Sequence, residues 1–149
     1  MNTAQPVHHR SAWLVLALAG LLLPSCSDNK PAAPQASTAR VFAADLKGAA
    51  AICEAQKLGA PAGQAITTAV KLGNDGGWCA VAVTQTDGQP FATGLLTTRP
   101  GHGKVLIHRV GDATRIDYTP DHGFTGADAF VVQLLPGDAT IRANVTVAR

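Results

Sequence analysis

The sequence has little charge and few aromatic side chains. Charged residues make up 15% and aromatic residues 5% of its 149 positions, and the formal net charge is only +2. Because globular domains carry about 25% charged residues, a charge-rich disordered chain is not expected. The near balance of charge also gives no electrostatic reason to expect nucleic acid as a partner. The length excludes a TIM barrel or a full dinucleotide-binding fold, which need roughly 200 residues or more.

Residue patterns for hydrolytic and redox chemistry are also missing. No serine follows position 40, and the sequence contains neither Gly-x-Ser-x-Gly nor Cys-x-x-Cys. These patterns mark the nucleophile of many hydrolases and the thiols of many oxidoreductases. The glycine-rich stretch Gly73–Gly77 lies between two predicted strands, so we interpret it as a hairpin turn and not as a phosphate-binding loop. We therefore predict no enzymatic activity and no cofactor.

One uninterrupted apolar run stands near the N-terminus. Ala12–Leu23 is apolar throughout and follows His8, His9 and Arg10. As a helix these residues would span about 18 Å, which is short of a bilayer core of about 30 Å. A positive start followed by a short apolar core is typical of a secretory signal peptide.

The residues after this run, Leu23-Pro24-Ser25-Cys26, resemble the lipobox of bacterial lipoproteins. The resemblance implies cleavage after residue 25, acylation of Cys26 (palmitate among the acyl chains), and anchoring in the lipid bilayer. Because Ser27 stands where Asp favours inner-membrane retention, it implies the outer membrane of the cell envelope. Pro24 departs from the small or β-branched residue usual there. The alternative is cleavage after Ser27, which would release a soluble periplasmic protein.

A tether and a folded domain are predicted to follow the signal peptide of residues 1–25. Ser27–Ala39 is rich in proline and small polar residues, so residues 26–40 are interpreted as a lipid-anchored flexible tether and residues 41–149 as the domain. At its start, Phe42, Leu46, Ala49 and Cys53 recur at spacings of four, three and four, which predicts a helix within 41–58. The alternative is a short first strand that joins a sandwich.

Seven short runs rich in Val, Ile and Thr then predict strands. They are Ile66–Leu72, Trp78–Thr86, Gly94–Thr98, Lys104–Arg109, Thr114–Thr119, Ala129–Leu135 and Thr140–Ala148. Several alternate between apolar and polar positions: Ile116 and Tyr118, for example, oppose Arg115, Asp117 and Thr119. Alternation with one wet face predicts a mainly β protein, an antiparallel β-sandwich with a tight hairpin at Val110-Gly111-Asp112. Its aromatic core is predicted to contain Trp78, Tyr118, Phe124 and Phe130.

The most distinctive internal stretch is YTPDHGFTGADAF, residues 118–130. We expect Tyr118 to face inward, Pro120 to end a strand, Gly123 and Gly126 to adopt positive φ, and Asp128 to accept backbone N–H groups. The stretch resembles bacterial Ig-like domains, including the cadherin-like type, at seven positions: Tyr118, Pro120, Gly123, Phe124, Gly126, Asp128 and Phe130. This resemblance, over about residues 64–147, implies an Ig-like sandwich with a binding or scaffolding role toward an envelope protein or glycan. The run of acidic residues used for interdomain calcium is lacking.

The remaining cysteines and histidines are the residues with the most evident chemistry. If Cys26 is acylated, Cys53 and Cys79 are left to form one disulfide in an oxidising compartment. His102, His108 and His122 have no compact metal-ligand spacing, and exposed or turn-bonded histidines are the simpler interpretation. An alternative function, in which these three histidines serve a periplasmic metal-binding or enzyme-accessory protein, stays open.

Overall fold

The computed structural model describes residues 40–149, which contain nine strands and one short 3-10 helix. The helix is Ala43–Leu46, and the strands are β1 (Cys53–Ala55), β2 (Leu58–Gly59), β3 (Ala65–Gly73), β4 (Cys79–Thr84), β5 (Thr93–Thr98), β6 (Gly103–Val110), β7 (Ala113–Pro120), β8 (Gly126–Leu135) and β9 (Ala139–Ala148). One sheet has the order β1-β3-β9-β8-β5 and the other β2-β4-β7-β6. The predicted β-sandwich is confirmed, and each of the seven predicted strands corresponds to one of β3–β9.

The pairing is antiparallel with two exceptions. β3 runs parallel to β9 over nine residue pairs, and β2 runs parallel to β4. The predicted hairpin at Gly111 and Asp112 is confirmed, since Val110 pairs with Ala113 and the register between β6 and β7 continues unbroken to Gly103 and Pro120. β6 and β7 therefore form one long, regular ribbon.

The predicted helix within residues 41–58 is wrong for most of that range. Only Ala43–Leu46 is helical, as a single 3-10 turn, and β1 and β2 follow. The helical spacing that predicted it begins with Phe42 and Leu46, and these two side chains are exposed and do not face a core. Gly48 at φ +85° also interrupts any continuous helix. Within residues 40–149 no helix is long and apolar enough to span a bilayer.

The core lies between the two sheets and is mostly aliphatic. Tyr118, Phe91 and Phe130 are its largest fully buried side chains. Placing Trp78 in this core was wrong: it stands before β4 on the outer side of the smaller sheet, and its indole N–H donates to the carbonyl of Lys47 (3.0 Å). Phe91 is in the core instead; it lies in the connection before β5, where strand alternation gives no information about burial.

The stretch Gly73–Gly77 is not a hairpin, because β3 and β4 belong to different sheets. It carries the chain across the sandwich and is held by its own side chains. Asp75 accepts the backbone N–H groups of Ala51 (2.8 Å) and Gly77 (2.9 Å). These two hydrogen bonds hold the pKa of Asp75 below its ordinary value. Gly77 is required here, since a Cβ would collide with the backbone of Ala50.

The predicted disulfide between Cys53 and Cys79 is present. It joins β1 of the larger sheet to β4 of the smaller sheet, and the Cys79 side of the bridge is fully buried. The bridge therefore links the two layers covalently at one edge of the sandwich.

Candidate functional site

Two groups of polar side chains organise the surface of the sandwich, and the first surrounds Asp128. The hydroxyl of Tyr118 donates to the Asp128 carboxylate (2.9 Å), as do the backbone N–H groups of Gly101 (2.8 Å) and His102 (2.9 Å). The Tyr118 hydroxyl also lies 3.1 Å from the carbonyl of His102. Asp128, at the start of β8, thus fixes the connection between β5 and β6.

The surroundings of Tyr118 and Asp128 shift the pKa of both side chains. Partial burial alone would raise the pKa of Asp128, but the hydrogen bonds from Gly101, His102, Ala129 and Tyr118 outweigh it and the pKa is lowered. Desolvation, together with the neighbouring Asp128 charge, raises the pKa of Tyr118. The carboxylate is therefore kept ionised and the phenol neutral, a combination that suits a fixed structural hydrogen bond.

The loop between Tyr118 and Asp128 follows the sequence prediction closely. Gly123 has φ +76° and Gly126 has φ +131°, so both occupy conformations that side-chain-bearing residues rarely adopt. The ring of Phe124 packs against the core and stacks on the imidazole of His102, with ring centroids 4.2 Å apart. Asn74 donates from its side-chain amide to the carbonyls of Asp121 (2.8 Å) and Phe124 (2.9 Å), which closes the loop against the β3–β4 crossing.

The second group lies on the outer face of β6 and β7. Asp117 was predicted to lie on a wet face, but it is only 4% exposed. Arg115 donates to it from Nε (2.7 Å) and Nη2 (2.7 Å), and His108 Nε2 lies 3.0 Å from its Oδ2. The carboxylate is thereby paired on both sides, which is what a buried charge requires.

An N-terminal segment, defined here as residues 40–47, covers this group. Arg115 donates from Nη1 to the carbonyl of Asp45, and the guanidinium stacks on the Trp78 ring at 4.1 Å from its centroid. His108 Nδ1 lies 3.8 Å from the Asp45 carboxylate. Asp117 is therefore buried on the outer face because the N-terminal segment, about 70 residues away in sequence, lies over it.

Comparison with protein families matches residues 48–148 to the family described as bacterial Ig domain. The chain belongs to this family. No curated protein gives a match to the sequence. Domains of this family are typically non-catalytic. In this Ig domain the carboxylates of Asp117 and Asp128 are engaged by donors of the same domain.

The Ig domain exposes several large apolar side chains on the face that bears the N-terminal segment. Phe42 is 62% exposed, Leu46 is 69% exposed, and Leu106 of β6 is 57% exposed. Leu106 is the cross-strand partner of Asp117, so it belongs to the same outer face. Exposed large apolar side chains contribute to interaction surfaces where they form a contiguous patch.

The three candidate histidines of the Ig domain have three different surroundings. His102 stacks on Phe124, His108 bonds to Asp117, and His122 is exposed in the loop before Gly123. Within residues 40–149 no group of three or more His, Cys, Asp or Glu side chains is arranged to hold a metal ion. Cys26, the predicted lipidation site, lies outside the described residues.

The Arg115–Asp117–His108 group was missed by sequence reasoning. A partial signal was available: a two-residue turn at 111–112 sets the register of β6 on β7 and places His108 opposite Arg115. The contact of the N-terminal segment with Arg115 and His108 could not be predicted in this way, since two segments so far apart in sequence show no local pattern that links them.

Proposed function

We propose that this protein is a bacterial lipoprotein of the cell envelope, anchored in the outer membrane through acylated Cys26. Its single Ig domain would be displayed on the 26–40 tether and act as a non-catalytic binding or scaffolding module toward a protein or glycan. The lipobox-like residues Leu23–Cys26 and the preceding apolar run support the anchor. Two or three acyl chains give durable attachment, since each buried CH₂ contributes about 0.8 kcal/mol.

The observation that carries the binding role is the way the domain uses its side chains. Asp117 and Asp128 are both tied to fixed donors, whereas Phe42, Leu46 and Leu106 point large apolar surface to solvent. A domain whose most buried carboxylates are engaged by its own donors, and which exposes some large apolar side chains, is suited to contact another molecule without transforming it.

The anchor is tested by Cys26→Ser, expressed from the full gene and followed by membrane fractionation. We expect the variant to leave the membrane fraction or to retain its signal peptide, because no other residue can carry the diacylglyceryl group in the lipobox scheme. A variant that fractionates and migrates as the wild-type protein does would refute the anchor.

The binding role is tested by site-specific photocrosslinking in intact cells. A crosslinking residue placed at Leu46 should capture a partner in the envelope. The same residue at Arg142, which is exposed on β9 of the other sheet, serves as the matched control. A product specific to position 46 supports the proposal. Identical product patterns at both positions, or none at either, would contradict a binding role for this face.

A further inference from the structure

Within residues 40–149, the strand β6 is a long and regular sheet edge with no strand paired on its outer side. It stands last in the four-stranded sheet, and its eight residues pair with β7 without a register shift. The N–H of Asp121 donates to the carbonyl of His102 (2.9 Å), and these two residues stand opposite each other in the register. Because hydrogen-bonded and non-hydrogen-bonded pairs alternate in an antiparallel ladder, this bond shows which residues of β6 bond to β7. Residues 104, 106, 108 and 110 bond to β7, so the backbone groups of Gly103, Val105, Ile107 and Arg109 point away from the sheet.

The other edges of the two sheets are shorter or irregular. β5 is the edge of the larger sheet on the same side of the sandwich, but its register on β8 shifts between Leu96 and Thr98. β1 has three residues and β2 has two, so each offers few backbone groups. Bulges and short strands protect sheet edges from pairing, and so do charged side chains. β6 is neither bulged nor short, and its two charged side chains, Lys104 and Arg109, are cations that repel a cationic strand and attract an acidic one.

Exposed cations lie on β6 and just before it, while the one acidic side chain placed beside β6 from the N-terminal segment, Asp45, lies next to His108. Between Asp87 and Asp112 the sequence contains no acidic residue, and it contains three cationic ones, Arg99, Lys104 and Arg109, all exposed. A pocket of about 450 Å³ opens beside the start of β6. Its lining combines the cations Arg99 and Lys104 with the apolar side chains of Leu96 and Val105. Such a lining fits a carboxylate on an aliphatic stem.

We propose that β6 accepts an extended acidic peptide segment as an added strand, with one of its carboxylate side chains in the pocket formed by Arg99 and Lys104. Backbone pairing with Gly103, Val105, Ile107 and Arg109 would supply affinity, and the cations would select sequences in which acidic and apolar residues alternate. This inference rests on the proposed binding role and names its partner class.

The edge itself favours a peptide over other acidic partners. A lipid headgroup or a nucleic acid could neutralise Arg99 and Lys104, but neither carries a row of amides to pair with the outward N–H and C=O groups. A second copy of this chain carries the amides but the wrong charge. Antiparallel pairing centred on Leu106 would set Lys104 of one copy opposite His108 of the other, and would bring two cationic edges together.

The test uses the full-length protein in detergent micelles and a blocked heptapeptide in which Glu and Val alternate. Backbone amide hydrogen exchange is followed by NMR. We expect the peptide to slow exchange at Val105 and Ile107 by at least about tenfold and to leave Leu106 and His108, already bonded to β7, unchanged. Uniform changes, or none at Val105 and Ile107, would overturn the proposal.

Two variants separate edge pairing from charge attraction. Val105→Pro removes an outward N–H without removing a bond to β7, and Lys104→Glu reverses a charge at the pocket. Each should weaken peptide binding by about tenfold or more, whereas Arg142→Glu, with the same change of net charge, should not. Thermal melts check that each variant folds; if Val105→Pro does not, Lys104→Glu against Arg142→Glu still decides.

Three further measurements complete the test. An alternating Lys–Val peptide should bind at least about tenfold more weakly than the Glu–Val peptide. Equal binding to phosphatidylglycerol vesicles, with the same dependence on Lys104, would point to a lipid surface and overturn the peptide assignment. A dimer in sedimentation that Val105→Pro dissociates would assign the edge to a second copy. These results leave the photocrosslinking test of the Leu46 face unaffected, so the two proposals can fail separately.

Discussion

The hydroxyl of Tyr118 donates to the carboxylate of Asp128 across 2.9 Å and joins the end of β7 to the start of β8. Two backbone N–H groups of the β5–β6 connection share the same carboxylate. One side chain therefore holds three parts of the chain that are 10 to 27 residues apart. Because Tyr118 and Asp128 both lie in the stretch 118–130, this contact ties the beginning of that stretch to its end.

Replacing Asp128 by Asn should lower the free energy of unfolding by about 1–3 kcal/mol at neutral pH, since the ionised acceptor of several hydrogen bonds is lost. Urea denaturation measures the change. Asp121→Asn is the control, because the Asp121 side chain is exposed on the same loop. Equal losses in the two variants would contradict the role assigned to Asp128.

The lowered pKa of Asp128 predicts that the difference in stability between the wild-type protein and Asp128→Asn depends on pH. The pKa of Asp128 is lower in the folded state than its ordinary value of about 3.9, so its ionisation stabilises the fold above that value. This stabilisation is lost as the pH falls through the lowered folded pKa. The difference in stability between wild type and Asp128→Asn should therefore narrow below about pH 4. A constant difference down to pH 2.5 would refute the assignment.

The side-chain alternation of β8 predicts opposite outcomes at neighbouring positions. Phe130 is fully buried and stacks near Tyr118, with ring centroids 5.9 Å apart, whereas Ala129 is exposed. Phe130→Ala should destabilise the domain by about 3–5 kcal/mol through lost burial and a cavity. Ala129→Ser should change stability by less than about 0.5 kcal/mol. Thermal or urea melts that show similar losses at both positions would argue against this strand register.

Gly123 and Gly59 offer a matched test of backbone strain. A Cβ would meet nothing within 4 Å at either position, but only Gly123 has a positive φ. Gly123→Ala should destabilise the fold by about 1–2 kcal/mol, and Gly59→Ala should be nearly neutral. Because the space around the two positions is equally open, a difference in urea midpoint reports the backbone conformation alone.

The histidines should separate by their surroundings. His108→Asn removes a partner of the buried Asp117 carboxylate and should destabilise the domain by about 1 kcal/mol or more. His122→Asn, at an exposed position, should change stability by less than about 0.5 kcal/mol. Similar values for both variants in chemical denaturation would mean that the contact at His108 contributes little.

The alternative metal-binding function is tested on the same residues. Metal content is measured in purified wild-type protein and in a variant in which His102, His108 and His122 are all replaced by Asn. We expect no difference in stoichiometric metal between the two proteins. Loss of a bound metal in the triple variant would favour the metal-binding alternative over the proposed binding module.

Prediction from sequence succeeded where a strand has one buried and one exposed face. In β9, Ile141, Ala143, Val145 and Val147 alternate with polar residues and all four are buried. That local period is enough to place the strand and to orient it. The positive φ values of Gly123 and Gly126 were predictable for a similar reason, because that backbone conformation is tied to residue type.

Prediction failed where the structure depends on distant contacts. β1 and β2 are too short to show a period, and the apolar spacing of Phe42 and Leu46 reflects an exposed segment. The burial of Asp117 could not be foreseen from β7 alone, since its cover comes from the N-terminal segment. The edge position of β6 follows from the strand order, which is a property of the whole sheet.

The disulfide has a mechanical consequence. Cys53 and Cys79 are 26 positions apart, and β3 lies wholly inside the loop that they close. A pull on the N-terminal side of Cys53 therefore reaches β4 through the bridge, and the enclosed chain cannot lengthen while the bridge is intact. The loop between the two cysteines would be about 90 Å long if fully extended, and the bridge prevents this extension. The nine-residue pairing of β3 with β9 is thus shielded from tension that enters through residue 40, and reduction of the bridge would expose it to that load.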